Sequence, residues 1–299
     1  MSEIDKAIKL LNSGEVVGIP TETVYGLSAS IYSESGLNKI FHTKERPFFN
    51  PLIVHVGDVD MAKSLTSSWC EVRNALAEAF WPGPLTIITP KNEKVSDLIT
   101  AEHSTVGLRC PNNELTLELI RKSQLPLAAP SANKFKRVSP VSASHVKEEL
   151  GDDVFVLDGG ECEVGIESTI VDVVGETIKI YRPGTITPED IKKSLAHLNL
   201  NKLSVEFFSS PVAPGQLKVH YRPKIPVEIQ WGNNFQSEGN IFFWKMEEDP
   251  YIVARNLYAN FRKAEREGFE KIVVLVNESF KNDDRFFGIL NRLEKASSS

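Results

Sequence analysis

Cationic side chains recur in this sequence next to apolar runs of the length that a β-strand needs. Lys44 and Arg46 precede the apolar run 52–56, and Arg109 and Arg182 each follow an apolar run of their own. A guanidinium group at the end of a buried strand needs an anionic partner, and a carboxylate or a phosphate matches its planar fork best. Cations placed in this way predict a cavity that holds anions.

Each of these cations also has a simpler interpretation. Lys44 and Arg46 stand where a helix is expected to end, and cations are mildly favourable at that position. Glu22 and Glu167 could pair with the strand-end arginines inside the protein. However, prolines at both ends of the segment 47–51 restrict the backbone beside Lys44 and Arg46, which favours a preorganised anion site.

Hydroxyl groups and small residues accompany the cations. The segment 20–27 (PTETVYGL) places Thr21 and Thr23 at the exit of an apolar run, where they would either cap a helix or donate to a small polar ligand. The segment 126–140 combines hydroxyls with three cations, which suits a phosphate but also fits a solvated basic loop. His55, inside an apolar run, is by itself more typical of a satisfied core histidine.

The sequence has no pattern for covalent catalysis or for a known nucleotide loop. The motifs GxSxG, GxxxxGK[ST] and GxGxxG do not occur in it. No cysteine lies near a histidine that would serve as its base. The residue types therefore indicate anion holding and charge neutralisation.

The composition is that of an ordinary globular protein, with 299 residues, 41 % apolar and 25 % charged. The net charge of −6, from 34 Lys+Arg against 40 Asp+Glu, argues against a protein that coats nucleic acid. Three widely spaced cysteines argue against structural zinc and favour a reducing compartment. The charged N-terminus is not a signal peptide, and no apolar run reaches the roughly 20 residues of a membrane span. We therefore expect a cytoplasmic protein without a membrane segment.

Apolar runs of strand length and helical periods interleave up to about residue 208. Strands are expected at 16–20, 52–56, 85–89, 105–109, 126–130, 154–158, 168–174 and 177–181. Helices are expected at 3–14, 34–45, 69–80, 113–123, 142–150 and 188–198. Because the strands are irregularly spaced and some adjoin directly, the pattern predicts an α/β domain with a mixed sheet.

A break in composition divides the chain. We predict a first domain over 1–208, a proline-rich, semi-rigid linker over 209–226, and a small α/β domain over 227–299. The small domain is expected to contain strands at 227–231, 241–246 and 271–276 and helices near 250–267 and 286–295. Its size is near the lower limit for a self-sufficient core, so it should lean on the first domain or on another chain.

Seven motifs occur in the order and spacing of the YrdC domain: PTETVYGL, KERPFFNPLIVHV, WPGPLTIITP, VGLRCP, PLAAPSAN, GIESTIVD and YRPG. Through them, residues 1–208 resemble the L-threonylcarbamoyladenylate synthase family in its long, two-domain form. The segment 213–223 resembles the interdomain linker of that family, and the C-terminal unit resembles its second domain more weakly. The resemblance implies a curved mixed sheet with flanking helices, a wide and positively charged cavity, and a small Rossmann-like second domain.

The resemblance also implies a reaction. ATP, L-threonine and bicarbonate would give threonylcarbamoyl-AMP and pyrophosphate, with Mg²⁺ on the ATP phosphates and no metal bound by the protein itself. Partner proteins would then transfer the threonylcarbamoyl group to the adenosine next to the anticodon of tRNA. Such an enzyme would work in the cytoplasm and would have at most weak affinity for RNA.

Site residues follow by motif from the same resemblance. The residues implied around threonine are Thr23, His55, Arg109, Ala129 and Ser168. Those implied around ATP are Arg46, Asn50, Thr105, Ser131, Ser139, Arg182 and Tyr221. Lys44 and Arg46 are the expected catalytic cations, with Lys44 on phosphate or carbamate oxygens. Phe135 and Lys136 depart from the family, which has serine and glycine there, so a permissive backbone position is lost beside the nucleotide.

Two other function classes compete with the synthase. A non-catalytic RNA-binding module would use the same basic cavity and would bind with a steep salt dependence. The acidic balance of the chain counts against it. A carbamoyl-transfer maturation factor would carry a YrdC-like domain beside acylphosphatase and zinc-finger modules, but the sequence has no cysteine pairs for such fingers.

Overall fold

The computed structural model describes residues 1–198, 203–208, 220–232 and 238–298. Most of the predicted linker, 209–219, lies outside the described residues. In the described part, no helix is both long and apolar enough to cross a membrane.

Thirteen strands occur in the described residues: β1 Val17–Ile19, β2 Gly26–Ser30, β3 Ile53–His55, β4 Leu85–Pro90, β5 Thr105–Arg109, β6 Leu127–Ala128, β7 Phe155–Val156, β8 Thr169–Val174, β9 Thr177–Arg182, β10 Ser204–Phe207, β11 Val227–Trp231, β12 Ile241–Lys245 and β13 Lys271–Val276. The first ten form one sheet in the order β10-β9-β8-β4-β5-β3-β6-β2-β1-β7, and the last three form a parallel sheet in the order β11-β13-β12. In the large sheet β5 is parallel to β3 and antiparallel to β4. The predicted α/β class with a mixed sheet is confirmed.

Ten α-helices flank the sheets within the described ranges: α1 Glu3–Asn12, α2 Glu34–Lys44, α3 Val59–Lys63, α4 Glu71–Phe80, α5 Asp97–Thr100, α6 Glu114–Ser123, α7 Ala143–Leu150, α8 Pro188–Leu195, α9 Pro250–Arg266 and α10 Phe287–Ser297. Their starts follow from local sequence. Ser2 and Thr187 form capping boxes ahead of α1 and α8, which satisfy the free N–H groups of the first turn. Helix α9 starts with Pro250 directly after its cap, Asp249.

One apolar core joins the two parts of the chain. Tyr25 and Val138 of the first part belong to the same buried cluster as Val253, Leu257 and Phe261 of α9. The small parallel sheet therefore packs through its helices onto the first domain. This shared core explains how a unit of this size is stabilised. The domain boundaries at 208 and 226 stay a prediction.

The sheet register sets the geometry of the polar side chains. His55 is the neighbour of Arg109 in the parallel pair of β3 and β5. Since alternate side chains of a strand share a face, Gly107 and Arg109 lie on the same face as Ile53 and His55. Arg182 is the last residue of β9, which is separated from β5 in the sheet by β8 and β4. The strand-end cations thus converge through pairing between strands that are far apart in sequence.

Candidate active site

A narrow cavity opens where these strand ends meet, and it leaves about 50 Å³ for the centres of water-sized molecules. Its polar wall includes eight residues that the sequence singled out: Thr23, Arg46, His55, Arg109, Ala129, Ser131, Arg182 and Tyr221. The wall also includes Thr21, Val24, Tyr25, Gly26, Ile53, Pro130, Glu167 and His220. The contributors come from both ends of the sheet and from His220 and Tyr221, near the C-terminal end of the predicted linker.

Arg46 forms one wall just beyond the end of α2. Its Nε donates to the carbonyl oxygen of Asn50 at 3.2 Å and its Nη2 donates to that of Pro51 at 2.8 Å. These bonds hold the side chain against the proline-bounded segment, as the positions of the prolines suggested. Burial, together with the nearby charge of Arg182, lowers the pKa of Arg46 to about 9. The group is still a cation at neutral pH, and the cost of burying it favours an anionic ligand.

Arg109 lies at the end of β5 and pairs with an acidic side chain. Its Nη2 is 2.7 Å from Oε2 of Glu22, and both side chains are almost fully buried. The angles of this contact are not those of a directed hydrogen bond. Its Nε donates to the carbonyl oxygen of Gly83 at 3.2 Å. Glu22 is thus an internal partner of Arg109. A substrate carboxylate would have to share the Arg109 guanidinium with Glu22.

His55 faces the cavity beside Arg109 as a neutral imidazole. Burial and the adjacent guanidinium lower the pKa of His55 to about 3, so the ring carries no charge at neutral pH. Among the residues that the structure describes, none forms a hydrogen bond with its Nδ1. A buried imidazole nitrogen without a partner is costly, and a substrate polar group could satisfy it.

Arg182 is oriented by Ser168. Its Nε donates to the Ser168 carbonyl oxygen at 3.0 Å, and its Nη2 donates to the Ser168 hydroxyl at 3.0 Å. That hydroxyl also lies 2.8 Å from the hydroxyl of Thr86. Ser168 itself is fully buried and does not border the cavity. The structure therefore places Ser168 behind Arg182, outside the lining of this cavity, and its contact with threonine stays a prediction.

Lys44 lies behind the wall, with only 1 % of its surface exposed. Its ammonium group donates to the backbone carbonyl oxygens of Ser131 and Asn133, and burial drives the pKa of Lys44 well below its ordinary value. In this arrangement Lys44 fixes the loop that follows β6. Lys44 does not itself border the cavity.

Three further residues implied for the ATP site do not border the cavity. Thr105 begins β5 and lies about 13 Å along the strand from Arg109. Asn50 is buried beside Arg46, and its side-chain nitrogen has no hydrogen-bond partner in the described part of the chain. Ser139 is buried and donates to Oε1 of Glu167 at 2.5 Å.

The loop 134–137 shows the consequence of the missing family glycine. Lys136 has a φ of +67°, in the left-handed region that favours glycine. Its carbonyl oxygen accepts a bond of 2.9 Å from the N–H of Arg222. The rings of Phe135 and His220 meet edge to face with their centroids 6.3 Å apart. The two departures from the family pattern therefore lie where the loop contacts His220 and Arg222, near the C-terminal end of the predicted linker.

Sequence reasoning missed the part of the site that the C-terminal unit supplies. Arg292 of α10 and Tyr258 of α9 both bond to Glu167, which borders the cavity. The single signal in the sequence was Glu167 itself, a carboxylate at the start of β8 that needs a partner when buried. In the described ranges, no group of three or more His, Cys, Asp or Glu side chains is arranged to hold a metal ion.

The comparisons with known proteins agree with this architecture. A family model described as "Telomere recombination", which covers Sua5, YciO and YrdC, matches residues 9–184. A second model, described as "Threonylcarbamoyl-AMP synthase, C-terminal domain", matches residues 186–298. The chain belongs to the Sua5/YciO/YrdC family.

Relatives with both domains resemble the chain over nearly its whole length. The threonylcarbamoyl-AMP synthase of Bacillus subtilis is 35 % identical over 98 % of this chain and 92 % of its own, and that of Pyrococcus abyssi is 34 % identical over 97 % and 93 %. The crystal structure of P. abyssi Sua5 complexed with L-threonine matches with a TM-score of 0.87 at 32 % identity, covering 99 % of this chain and 95 % of that one. Escherichia coli YciO, at 20 % identity and a TM-score of 0.54 over 60 % of this chain and 88 % of its own, shares the fold alone.

Proposed function

We propose that this protein is a threonylcarbamoyl-AMP synthase, which joins L-threonine, bicarbonate and ATP into threonylcarbamoyl-AMP and releases pyrophosphate. The observation that carries the proposal is the convergence of three buried guanidinium groups, Arg46, Arg109 and Arg182, on one cavity. A substrate set with a carboxylate, a carbamate and a triphosphate supplies anions for all three. The near full-length relatives that bear this name support the same activity.

The proposed reaction has two steps. The amine of threonine attacks the carbon of CO₂ derived from bicarbonate, loses a proton and becomes a carbamate. A carbamate oxygen then attacks the α-phosphorus of ATP, the bond from that phosphorus to the bridging oxygen breaks, and pyrophosphate leaves with the electron pair. The protein's part is alignment and charge neutralisation, because such transfers need little covalent help.

Threonine is proposed to bind at the end of the cavity formed by β3 and β5. Arg109 would take the carboxylate in a two-pronged contact, and the free Nδ1 of His55 would meet a polar group of the amino acid. Thr23 adds a hydroxyl, and the small side chain of Ala129 lets the backbone approach. Ser168 acts here through the orientation of Arg182.

ATP is proposed to bind between Arg46 and Arg182, with Ser131 and Tyr221 beside it. Lys44 would hold the Ser131 loop and add positive charge from behind the wall. Further contacts with the nucleotide are proposed for Asn50, Thr105 and Ser139. Mg²⁺ would arrive on the phosphates as part of the substrate. Transfer partners acting on tRNA, weak RNA contact and a cytoplasmic location belong to the same proposal.

The test is pyrophosphate release by the purified chain with ATP and Mg²⁺. Release should require both L-threonine and bicarbonate, and mass spectrometry should detect threonylcarbamoyl-AMP. Arg285→Ala, which alters an exposed arginine that does not border the cavity, is the matched control and should behave as the unsubstituted protein. Release that continues without threonine or without bicarbonate would reject the synthase.

A further inference from the structure

Glu167 is a negative charge in the wall of a cavity that is otherwise built for anions. Its carboxylate borders the same space as Arg46 and Arg182, and it is 6 % exposed. A carboxylate in this place would repel a triphosphate, and it would attract the guanidinium of Arg182. The fold must therefore neutralise Glu167 for the site to hold its proposed ligand.

The neutralising cation comes from the C-terminal unit. The side chain of Arg292, on α10, is 0 % exposed, and its Nε donates to Oε2 of Glu167 at 3.0 Å. Its Nη2 donates to the backbone carbonyl oxygen of Glu167 at 3.1 Å, and its Nη1 donates to those of Pro183 and Gly288. This guanidinium therefore forms hydrogen bonds with both the side chain and the backbone of Glu167, and with the turn that follows Arg182.

Two hydroxyls complete the grip on the carboxylate. Ser139 donates to Oε1 at 2.5 Å, and Tyr258 of α9 donates to Oε2 at 3.0 Å. Burial alone would raise the pKa of Glu167, but the charges of Arg292 and then Arg182 lower it to about 2. Glu167 is thus ionised at neutral pH, and its charge is paired with Arg292 of the C-terminal unit.

Arg292 also supports the residue that closes the cavity. Its Cζ lies 5.3 Å from the centre of the Tyr221 ring, the geometry of a cation–π contact. Tyr221 borders the cavity from the other side. One arginine of the C-terminal unit therefore contacts both a charged and an aromatic component of the proposed ATP wall.

We propose that Arg292 is a positioning residue for ATP, which cancels and orients the Glu167 carboxylate so that the arginines of the cavity face the triphosphate. This inference rests on the proposed function. It gives the C-terminal unit a part in substrate binding that acts through one buried ion pair, Arg292 with Glu167. A purely structural anchor would stabilise the fold but would leave the affinity for ATP unchanged once the protein is folded.

The test compares Arg292→Met with Arg292→Lys and with the double variant Arg292→Met/Glu167→Gln. Arg292→Met leaves Glu167 charged and unpaired, so KM for ATP should rise about tenfold or more while KM for threonine changes little. Arg292→Lys should recover part of the loss. The double variant removes both charges and should return KM for ATP to within about threefold of the original value.

Arg73→Met is the matched control. Arg73 is likewise buried, lies 3.5 Å from Asp172 and donates to two carbonyl oxygens, but it does not border the cavity. Its loss should lower the melting temperature without changing KM for ATP. If Arg292→Met behaves in the same way, raises both KM values equally, or is not relieved by Glu167→Gln, the inference is overturned. If Arg292→Met does not fold, Arg292→Gln with and without Glu167→Gln gives the same comparison, because glutamine also removes the charge and keeps a hydrogen-bond donor in the buried site.

Failure of the inference is distinct from failure of the proposed function. Failure of the proposed function would appear in the unsubstituted protein, as pyrophosphate release that does not depend on threonine and bicarbonate. Failure of the inference would appear in the variants alone, with the unsubstituted protein active.

Discussion

Arg109 and Glu22 form a buried ion pair in the cavity, with Nη2 and Oε2 2.7 Å apart. The proposed carboxylate of threonine would approach a guanidinium that already has one acidic partner. A planar group with several donors can serve two carboxylates at once, whereas an ammonium group lacks this fixed fork. We therefore predict that recognition of threonine requires arginine, and not merely a cation, at position 109.

Arg109→Lys should raise KM for threonine about tenfold or more, because the charge is kept and the two-pronged geometry is lost. KM for ATP should change less. Steady-state pyrophosphate release at saturating ATP measures the effect, and Arg121→Lys, at an exposed position of α6, serves as the control. An unchanged KM for threonine would mean that the amino acid binds elsewhere.

Arg46→Ala should lower kcat/KM for ATP about a hundredfold or more, since it removes a cation that we propose faces the phosphates. Its fold should persist, because within the described ranges the side chain donates to the carbonyl oxygens of Asn50 and Pro51 alone. The free energy of unfolding should fall by about 1–3 kcal/mol, as expected for acceptors that lose their donor. Turnover and chemical denaturation are measured on one preparation. A variant that does not fold would show that Arg46 is structural.

The sequence predicted the strands that its composition marks. The predicted runs 85–89 and 105–109 correspond to β4 and β5. They were recognisable because they are rich in β-branched residues and are flanked by turn residues. Strand β2, with the sequence GLSAS, was missed, since small residues buried on both faces show neither alternation nor β-branched content. Strand β10 was missed as well, because it is a short, half-exposed edge strand next to the composition break.

The site was predictable only where one motif carries both the residue and its surroundings. Arg46 and the prolines beside it are such a case. The contact of Arg292 with Glu167 joins residues 125 positions apart, and no local pattern links them. The same holds for Lys44, whose carbonyl partners lie in the loop after β6. Long-range pairing between polar groups depends on the tertiary packing, so single-sequence reasoning does not reach it.

The pKa of His55, lowered to about 3 by burial and by Arg109, predicts how stability depends on pH. The folded state keeps the ring neutral, while the unfolded chain binds a proton below about pH 6.5. Stability is therefore highest above pH 6.5 and is lost as the pH falls toward 3, with a slope from this ring of up to about 1.4 kcal/mol per pH unit.

His55→Gln removes that contribution. Between pH 6.5 and pH 4.5 its free energy of unfolding should fall less steeply than that of the unsubstituted protein, by up to about one proton's worth of slope. Urea denaturation at several pH values measures the two slopes. Equal slopes would show that His55 is not held neutral in the folded state.

Lys136→Gly should stabilise the protein. The φ of +67° at Lys136 carries a steric penalty of about 1 kcal/mol for a side chain with a Cβ atom, and glycine removes that penalty. Part of the gain is offset by the greater freedom of glycine in the unfolded chain, which leaves about 0.5 kcal/mol. Lys94→Gly is the control, at an exposed turn position outside the positive-φ region, and should lower the melting temperature. A Lys136→Gly variant that melts no higher than the original would contradict the strain.

Variants of Tyr221 distinguish two roles of the segment near the C-terminal end of the predicted linker, packing and the proposed closure over the nucleotide. The ring is 1 % exposed and lies between Arg292 and Tyr258, so Tyr221→Ala should cost about 3–5 kcal/mol of stability through the cavity it leaves. Tyr221→Phe keeps the ring and removes the hydroxyl that interacts with Arg182. KM for ATP should therefore rise about threefold to tenfold with little loss of stability. Tyr251→Phe, at an exposed tyrosine of α9, is the control. If ATP kinetics are unchanged in both Tyr221 variants, the segment does not close over the nucleotide, and the ring serves only to pack the C-terminal helices against the first domain.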